Sequence, residues 1–146
     1  EKISPLGLGA DVIVGFPGES EVSFEHTRKL IEELPFSYLH VFSYSPRSGT
    51  EAHNFKNNIK NITKKERNLI LNDLVKEKAQ QFYKSFIGKK VTVLVEERKQ
   101  ADGVLKGHSE HYIPVSIDAE GFLQNQLVSV LITETRKNEL VGCLES

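Results

Sequence analysis

The residues of this 146-residue chain with the clearest potential for chemistry lie around two predicted strand ends. Aromatic rings can pack on a nucleobase, and a guanidinium can pair with a phosphate or a carboxylate. A carboxylate that faces a polar cavity can bind hydroxyl or amino groups, and a glycine lets a ligand approach the backbone closely. The candidates for such a ligand site are Asp11, Gly15, Phe42, Tyr44 and Arg47. The structural alternatives stay open: a capping carboxylate, a turn glycine, core aromatic rings and a solvated arginine.

A second group of candidates could bind RNA phosphates. A run of basic side chains, opposed only by Glu66, comprises Lys56, Lys60, Lys64, Lys65 and Arg67. A solvated linker is the alternative interpretation of this run. Residues 88–146 contain seven basic and nine acidic side chains, so any RNA contact there must be local. The candidates for it are Lys89, Lys90, Lys106 and Tyr112.

Composition limits the other kinds of site. The single cysteine, Cys143, excludes an internal disulfide and any zinc or iron–sulfur site built from cysteines of this chain. We expect Cys143 to be a small core residue of a strand. A hydrophobic share of 38% with 27% charged residues indicates a globular chain. No apolar run approaches the roughly 20 residues of a spanning helix, and no signal-peptide pattern opens the chain, which predicts a cytoplasmic protein.

The ligand candidates would be positioned by a strand–helix–strand unit. Residues 10–14 form a β-branched run typical of a buried parallel strand, and residues 38–44 form a second strand. Between them, Ser20 is a predicted N-cap, and Pro35 ends the helix. The two strands should be parallel, because a helical crossover joins them. Period-two alternation places Asp11, Ile13 and Gly15 on the face away from the helices.

The second half of the chain changes from a helical period to a period of two. A long helix is predicted from a capping box of Thr63 and Glu66 to a C′ glycine at Gly88. Short antiparallel strands are predicted to form a small barrel, with a DG turn at 102–103. The predicted strands are residues 90–97, 111–117, 127–133 and 139–145. The residues predicted to face the interior of this barrel are Val91, Val93, Val95, Leu127 and Leu131.

The stretches around the two parallel strands resemble radical S-adenosylmethionine tRNA methylthiotransferases. GFPGES at 15–20 is similar to the GFPGET turn of that family, and YSPRSGT at 44–50 is similar to its YSPRxGT motif, in the same order and at the same spacing. PFSYLHVFSYSPRSGT looks closest to the branch that acts on threonylcarbamoyladenosine, and the sister branch acting on isopentenyladenosine is the alternative. GHSEHYIPV at 107–115 is similar to the GYTENYIPV segment of the family's TRAM domain, with His108 and His111 as departures.

The resemblance implies an α/β fold class in two parts. Residues 1–87 would be the C-terminal portion of a radical S-adenosylmethionine barrel (a partial TIM-like barrel) with a linker helix. Residues 88–146 would be a small all-β TRAM barrel. The missing part of the barrel and an N-terminal domain would then be partners of this chain, which we expect to be a C-terminal fragment.

The resemblance also implies the chemistry. The parent enzyme would methylthiolate C2 of N6-threonylcarbamoyladenosine at tRNA position 37, using S-adenosylmethionine and two 4Fe-4S clusters whose cysteines this chain lacks. The fragment alone would therefore be inactive and would contain no catalytic or metal-ligating residue. The implied cofactor contacts are Asp11, Gly15, Phe42 and Tyr44, and the implied tRNA contacts are Arg47, Lys64, Lys65, Lys106 and Tyr112. A non-catalytic RNA-binding TRAM module is the alternative of a different class.

Overall fold

The structure, a computed structural model, describes residues 6–98, 104–119 and 124–145. The chain divides into two compact units, one of Gly7–Lys78 and the other of Leu6 together with the residues from Ala79 onward. The first unit is a βαβ layer with most of a long second helix, and the second unit contains the end of that helix and a closed barrel. The elements are β1 (Leu8–Val14), α1 (Glu21–Glu33), β2 (Phe36–Ser43), a 3₁₀ turn (Glu51–Asn54), α2 (Asn61–Lys84), β3 (Lys90–Arg98), β4 (Leu105–Ser109), β5 (Pro114–Asp118), β6 (Leu127–Arg136) and β7 (Glu139–Leu144).

The predicted strand–helix–strand unit is confirmed. Strands β1 and β2 pair in parallel, with Val12 opposite Val41. Helix α1 begins at its N-cap Ser20, whose hydroxyl accepts a hydrogen bond from the backbone N–H of Ser23 at 3.0 Å. It ends before Pro35, which has no N–H to continue the helical ladder. The ends of the two strands therefore lie side by side.

The two faces of this sheet differ in burial, as the alternation predicts. On one face, Val14 and Leu39 pack against Phe24 and Ile31 of α1 and against Leu71 of α2. The opposite face carries Ile13, Tyr38, His40 and Phe42, and all four side chains are exposed. Within the described residues the sheet has two strands, so the predicted larger barrel is not shown.

Helix α2 begins three residues earlier than the predicted capping box implies. Its first residue is Asn61, so Thr63 lies inside the helix and the predicted capping box is wrong. The helix ends at Lys84, and Gly88 lies four residues further on, with a left-handed φ of 78°. Gly88 is therefore not the C′ residue of α2. It lies two residues before β3, and its N–H donates to the carbonyl of Ile132 in β6 at 2.8 Å.

The second unit is a closed five-stranded barrel in the order β3-β4-β5-β7-β6. Two features differ from the prediction. Strand β4 lies in a segment to which no strand was assigned, and β5 pairs with β7 in parallel rather than antiparallel, with Ile117 opposite Gly142. Two positions on paired strands require glycine, because a Cβ on Gly107 or Gly142 would overlap a carbonyl oxygen of the neighbouring strand. The predicted turn at 102–103 lies outside the described residues.

The barrel interior is apolar and closely packed. The prediction holds for Val91, Val93 and Val95, which are buried. It is wrong for Leu127 and Leu131: the inward-facing buried residues of β6 are Val130 and Ile132. Cys143 is exposed, not a core residue, because Leu140 and Gly142 occupy the inward positions of β7. The buried residues of the barrel core are Phe86, Val91, Val93, Val95, Leu105, Ile113, Val115, Ile117, Val130, Ile132 and Leu140.

Neither helix among the described residues has the length and apolar character that crossing a membrane requires.

Candidate functional site

A cleft of about 520 Å³ lies at the carboxyl ends of β1 and β2. Ligands of parallel α/β folds bind at this end of the strands. Most of its surface is apolar, and hydroxyl groups and one guanidinium lie around it. The lining residues are Ile13, Phe16, Phe42, Ser43, Tyr44, Ser45, Arg47, Thr50 and Ala52.

Aromatic rings form the walls of the cleft. Phe16 meets Tyr44 edge to face, with ring centroids 5.2 Å apart, and meets Phe55 in the same way at 6.1 Å. The ring of Phe42 is 52% exposed. The hydroxyl of Tyr44 is buried without a hydrogen-bond partner among the described residues. A slot with these walls suits a flat, weakly polar ring such as a nucleobase.

Arg47 lies at the rim of the cleft in a closed turn. The hydroxyl of Thr50 donates to the carbonyl of Arg47 at 2.8 Å, which fixes the backbone of the turn. The side chain of Arg47 is exposed, and no carboxylate of the described ranges forms a salt bridge with it. Its guanidinium is therefore available to an anionic ligand.

The turn after β1 is built around Gly15. Its φ is 72°, and its N–H donates to the carboxylate of Glu19 at 2.7 Å. A Cβ at this position would overlap the Cγ of Lys64. The predicted role of Gly15, a close approach of the cofactor to its backbone, does not fit this geometry, because the side chain of Lys64 occupies that space.

Two members of the predicted basic run are buried rather than solvated. Lys64 is 7% exposed and Arg67 is 5% exposed. Lys64 Nζ donates to the carbonyl of Tyr44 at 3.1 Å. The predicted phosphate contact of Lys64 does not fit this burial. Lys65 is exposed, as a phosphate contact requires.

Arg67 is held by two carboxylates at the start of α1. It donates to Glu19 at 2.6 Å and to Glu21 at 2.9 Å. Burial by itself lowers the pKa of Arg67, but the hydrogen bonds to Glu21 and Glu19 outweigh it, so the pKa is raised above its ordinary value. The guanidinium therefore stays charged inside the fold, where its Nε is buried without a partner among the described residues.

Asp11 lies on the open face of the sheet rather than in the cleft. It is exposed, it stands opposite His40 in the strand register, and it precedes Ile13, a cleft residue, by two positions. The structure therefore brings Phe42, Tyr44 and Arg47 together and leaves Asp11 beside them.

The two predicted RNA contacts of the barrel unit differ in their surroundings. Tyr112 is 90% exposed in the turn between β4 and β5, with a left-handed φ of 57°. Lys106 is partly buried and donates to Glu139 at 3.1 Å, and the hydroxyl of Ser116 donates to the same carboxylate at 3.0 Å. Burial raises the pKa of Glu139, but the hydrogen bonds from Lys106 and Ser116 outweigh it and the pKa is lowered. The positive charge of Lys106 is thus already paired with the carboxylate of Glu139.

The described residues do not fit an iron–sulfur cluster. They contain no group of three histidine, cysteine or acidic side chains that could hold a metal ion, and the sequence has one cysteine, whereas such a cluster needs several thiolates. No step of the chemistry is therefore assigned to a cluster held by these residues.

Phe16, Thr50 and Ala52 line the cleft but were not predicted as site residues. Phe16 is the second residue of GFPGES, and its position two residues after the end of β1 was a usable signal. Thr50 is the N-cap of the 3₁₀ turn and Ala52 lies within it, inside a segment whose Asn, Ser and Pro content indicates only a loop.

No family model matches this chain. Three relatives are each named tRNA-2-methylthio-N(6)-dimethylallyladenosine synthase. The Geobacillus kaustophilus protein is 42% identical over 141 residues, or 96% of this chain and 27% of the relative. The Oceanobacillus iheyensis protein is 41% identical over 138 residues, or 94% and 27%. The Wolbachia pipientis protein of Culex pipiens is 36% identical over 145 residues, or 97% and 33%.

These names correct the predicted branch. Five further relatives at 34–36% identity carry the same name, and none of the eight is named for threonylcarbamoyladenosine. The motif PFSYLHVFSYSPRSGT therefore does not separate the two branches, and the sister branch fits better. The chain spans about a third or less of the length of these relatives. Along almost its whole length, the chain is similar to one segment of tRNA-2-methylthio-N(6)-dimethylallyladenosine synthases.

Proposed function

We propose that this chain is a segment of an enzyme that attaches a methylthio group to N6-dimethylallyladenosine in tRNA. The observation that carries the proposal is the aromatic cleft, because both motifs that resemble the methylthiotransferases contribute residues to it: Phe16 follows β1, and Tyr44 and Arg47 follow β2. The names of the relatives support the choice of nucleoside. Threonylcarbamoyladenosine is not proposed.

The cleft is proposed to hold the adenosyl part of S-adenosylmethionine. Phe42 and Tyr44 would pack on the adenine ring, and the buried hydroxyl of Tyr44 lacks a partner that a polar ligand atom could supply. When bound, S-adenosylmethionine would supply the radical that removes hydrogen from C2 of the nucleoside, and a second molecule would supply the methyl group, while the electron and the sulfur would come from clusters outside this chain. The residues of this chain would only hold and orient the cofactor. Asp11, on the adjoining face, would bind a hydroxyl or amino group of the cofactor. The clusters of the predicted chemistry would have to be held by residues outside this chain.

The tRNA is proposed to contact exposed side chains in both units. Arg47 would pair with a phosphate near the modified nucleoside, because a guanidinium binds phosphate through two parallel hydrogen bonds. Lys65 would add a charge contact, and Tyr112 would stack on an unpaired base. Lys106 would contribute only by exchanging its partner Glu139 for a phosphate. A partner segment that completes the two-stranded sheet is part of the same proposal.

The test is nucleoside analysis of tRNA from a bacterial strain that lacks its own dimethylallyladenosine methylthiotransferase. Expression of the full-length protein that contains this chain should make 2-methylthio-N6-dimethylallyladenosine appear by liquid chromatography and mass spectrometry. A matched strain lacking the threonylcarbamoyladenosine enzyme should show no rescue. Rescue of the second strain alone would overturn the proposed nucleoside, and rescue of neither would overturn the enzyme assignment.

A further inference from the structure

The N-terminal part of α2 faces the sheet with polar side chains. Lys64, Arg67 and Asn68 lie three and four positions apart, so they share one face of the helix. Asn68 donates to the carbonyl of Val41 at 3.2 Å. One turn later the same face becomes apolar at Leu71, which is fully buried. The polar part of the stripe lies against the strand ends, where the cleft is, and the apolar part lies against the core.

Lys64 joins the ends of both strands. Its Nζ donates to the carbonyl of Tyr44 at 3.1 Å and lies 5.2 Å from the centroid of the Tyr44 ring. Its aliphatic stem fills the space beside Gly15 that a Cβ would need. At the same place the two strand ends are joined by a hydrogen bond from the N–H of Tyr44 to the carbonyl of Val14 at 2.8 Å. Lys64 therefore contacts Tyr44, the donor of this bond, and Gly15, the residue after its acceptor.

Arg67 holds the turn after β1 through Glu19. The carboxylate oxygen that accepts from Arg67 also accepts from the N–H of Gly15 at 2.7 Å. Arg67 donates in addition to the backbone carbonyl of Glu19 at 3.1 Å. The turn that carries Phe16, one wall of the cleft, is therefore fixed at both of its ends by one guanidinium.

Buried cations are an expensive way to stabilise a fold, because an apolar side chain of the same volume often does as well or better. Lys64 and Arg67 form directional hydrogen bonds, which an apolar residue could not form. Each cation fixes a particular oxygen on a strand end or turn. One of those oxygens belongs to Tyr44, which is itself an aromatic wall, and the other belongs to Glu19, whose N–H donates to the carbonyl of Phe16, the second wall.

We propose that Lys64 and Arg67 are positioning residues that set the distance and orientation of the two aromatic walls, Phe16 and Tyr44, and so prepare the cleft for an adenine ring. Neither residue touches the ligand. This inference rests on the proposed function, since it takes the adenosyl group as the occupant of the cleft.

The test measures binding of S-adenosylhomocysteine to the full-length protein by equilibrium dialysis, together with the thermal unfolding midpoint. Lys64→Met keeps the stem beside Gly15 and removes only the amine, so the unfolding midpoint should change little. Misplacement of one wall should weaken binding about tenfold. Lys76→Met is the matched control, because Lys76 lies on the same helix in an exposed pair with Asp73 and should bind as the wild type does. Glu19→Gln, which removes the charge that Arg67 holds, should weaken binding in the same way.

The outcomes separate this inference from the proposed function. If Phe42→Ala weakens binding and both Lys64→Met and Glu19→Gln bind as the wild type, the cleft is the site and only the positioning role is wrong. If Phe42→Ala leaves binding unchanged, the cleft is not the cofactor site; the placement of the cofactor and the positioning role then both fail, while the rescue experiment still decides the proposed enzyme activity. If Lys64→Met and Glu19→Gln both unfold, the pair supports the fold rather than the site, and the inference is overturned.

Discussion

Replacing Arg47 with alanine is expected to lower kcat/KM for tRNA about ten- to hundredfold in the full-length enzyme, through KM more than through kcat. A charge-assisted hydrogen bond to a phosphate contributes about 1.5–3 kcal/mol, and Arg47 has no salt-bridge partner in the described ranges that could retain it in the unbound state. The Thr50 hydroxyl bonds to the backbone of Arg47, so the turn should survive the change. Steady-state kinetics at varied tRNA concentration measure the effect.

Two variants serve as controls for this change. Arg47→Lys keeps the charge but loses the paired hydrogen bonds, so it should recover part of the lost affinity. Arg28→Ala removes an arginine that pairs with Glu25 and Glu32 on the surface of α1, and it should leave tRNA kinetics unchanged. Wild-type KM in Arg47→Ala would show that Arg47 is a solvated loop residue.

Replacing Phe86 with alanine is expected to destabilise the barrel by about 3–5 kcal/mol. Phe86 is 1% exposed and belongs to the buried cluster that also contains the strand residues. Its ring lies 5.0 Å from Phe82 and 5.0 Å from His111, so the change leaves a cavity between α2 and the β4–β5 turn of the same unit. A barrel of this size has a total stability of about 3–10 kcal/mol, so the variant should lose a large part of its free energy of unfolding.

Urea unfolding of the 146-residue chain, followed by amide-proton spectra, measures this loss. Tyr112→Ala is the matched control, because it removes an aromatic ring of the same unit that is 90% exposed, and it should cost less than about 0.5 kcal/mol. The same reasoning predicts that residues 79–146 fold more stably than residues 88–146, which lack Phe86. Equal stability of the two segments would show that Phe86 is not part of the barrel core.

The parallel layer could be predicted from the sequence because each of its signals has one interpretation. The run ADVIV is β-branched and apolar apart from Ala10 and Asp11, Ser20 is a strong N-cap, and Pro35 ends the helix by lacking an N–H. The barrel strand β6 was harder. LVSVLIT has apolar residues in both parities, so alternation alone does not say which side faces inward. Pairing with β3, which places Val91 opposite Val130, decides it, and that contact is not visible in a local sequence pattern.

Site residues that lie next to a strand end could be predicted from the sequence. Residues of a helix whose side chains point into the fold could not. Phe42, Tyr44 and Arg47 meet in the cleft because their strands are parallel and adjacent. Lys64 and Arg67 belong to the basic run for which the sequence predicts either RNA phosphate contacts or a solvated linker, and both interpretations assume exposure because charged residues are almost always exposed unless they are paired. Their partners, Tyr44 and Glu19, are 20 and 48 positions away in the chain, so the pairing required the fold.

The most direct test of the account is photolabelling of the full-length protein with an 8-azido derivative of S-adenosylmethionine, followed by peptide mass spectrometry. The account predicts that the label lies on the peptide containing Phe42 and Tyr44, which line the cleft. Excess S-adenosylhomocysteine should prevent the labelling, and Phe42→Ala should reduce it. Label that is displaced by S-adenosylhomocysteine but lies entirely outside residues 7–78 would contradict the assignment of this cleft to the cofactor.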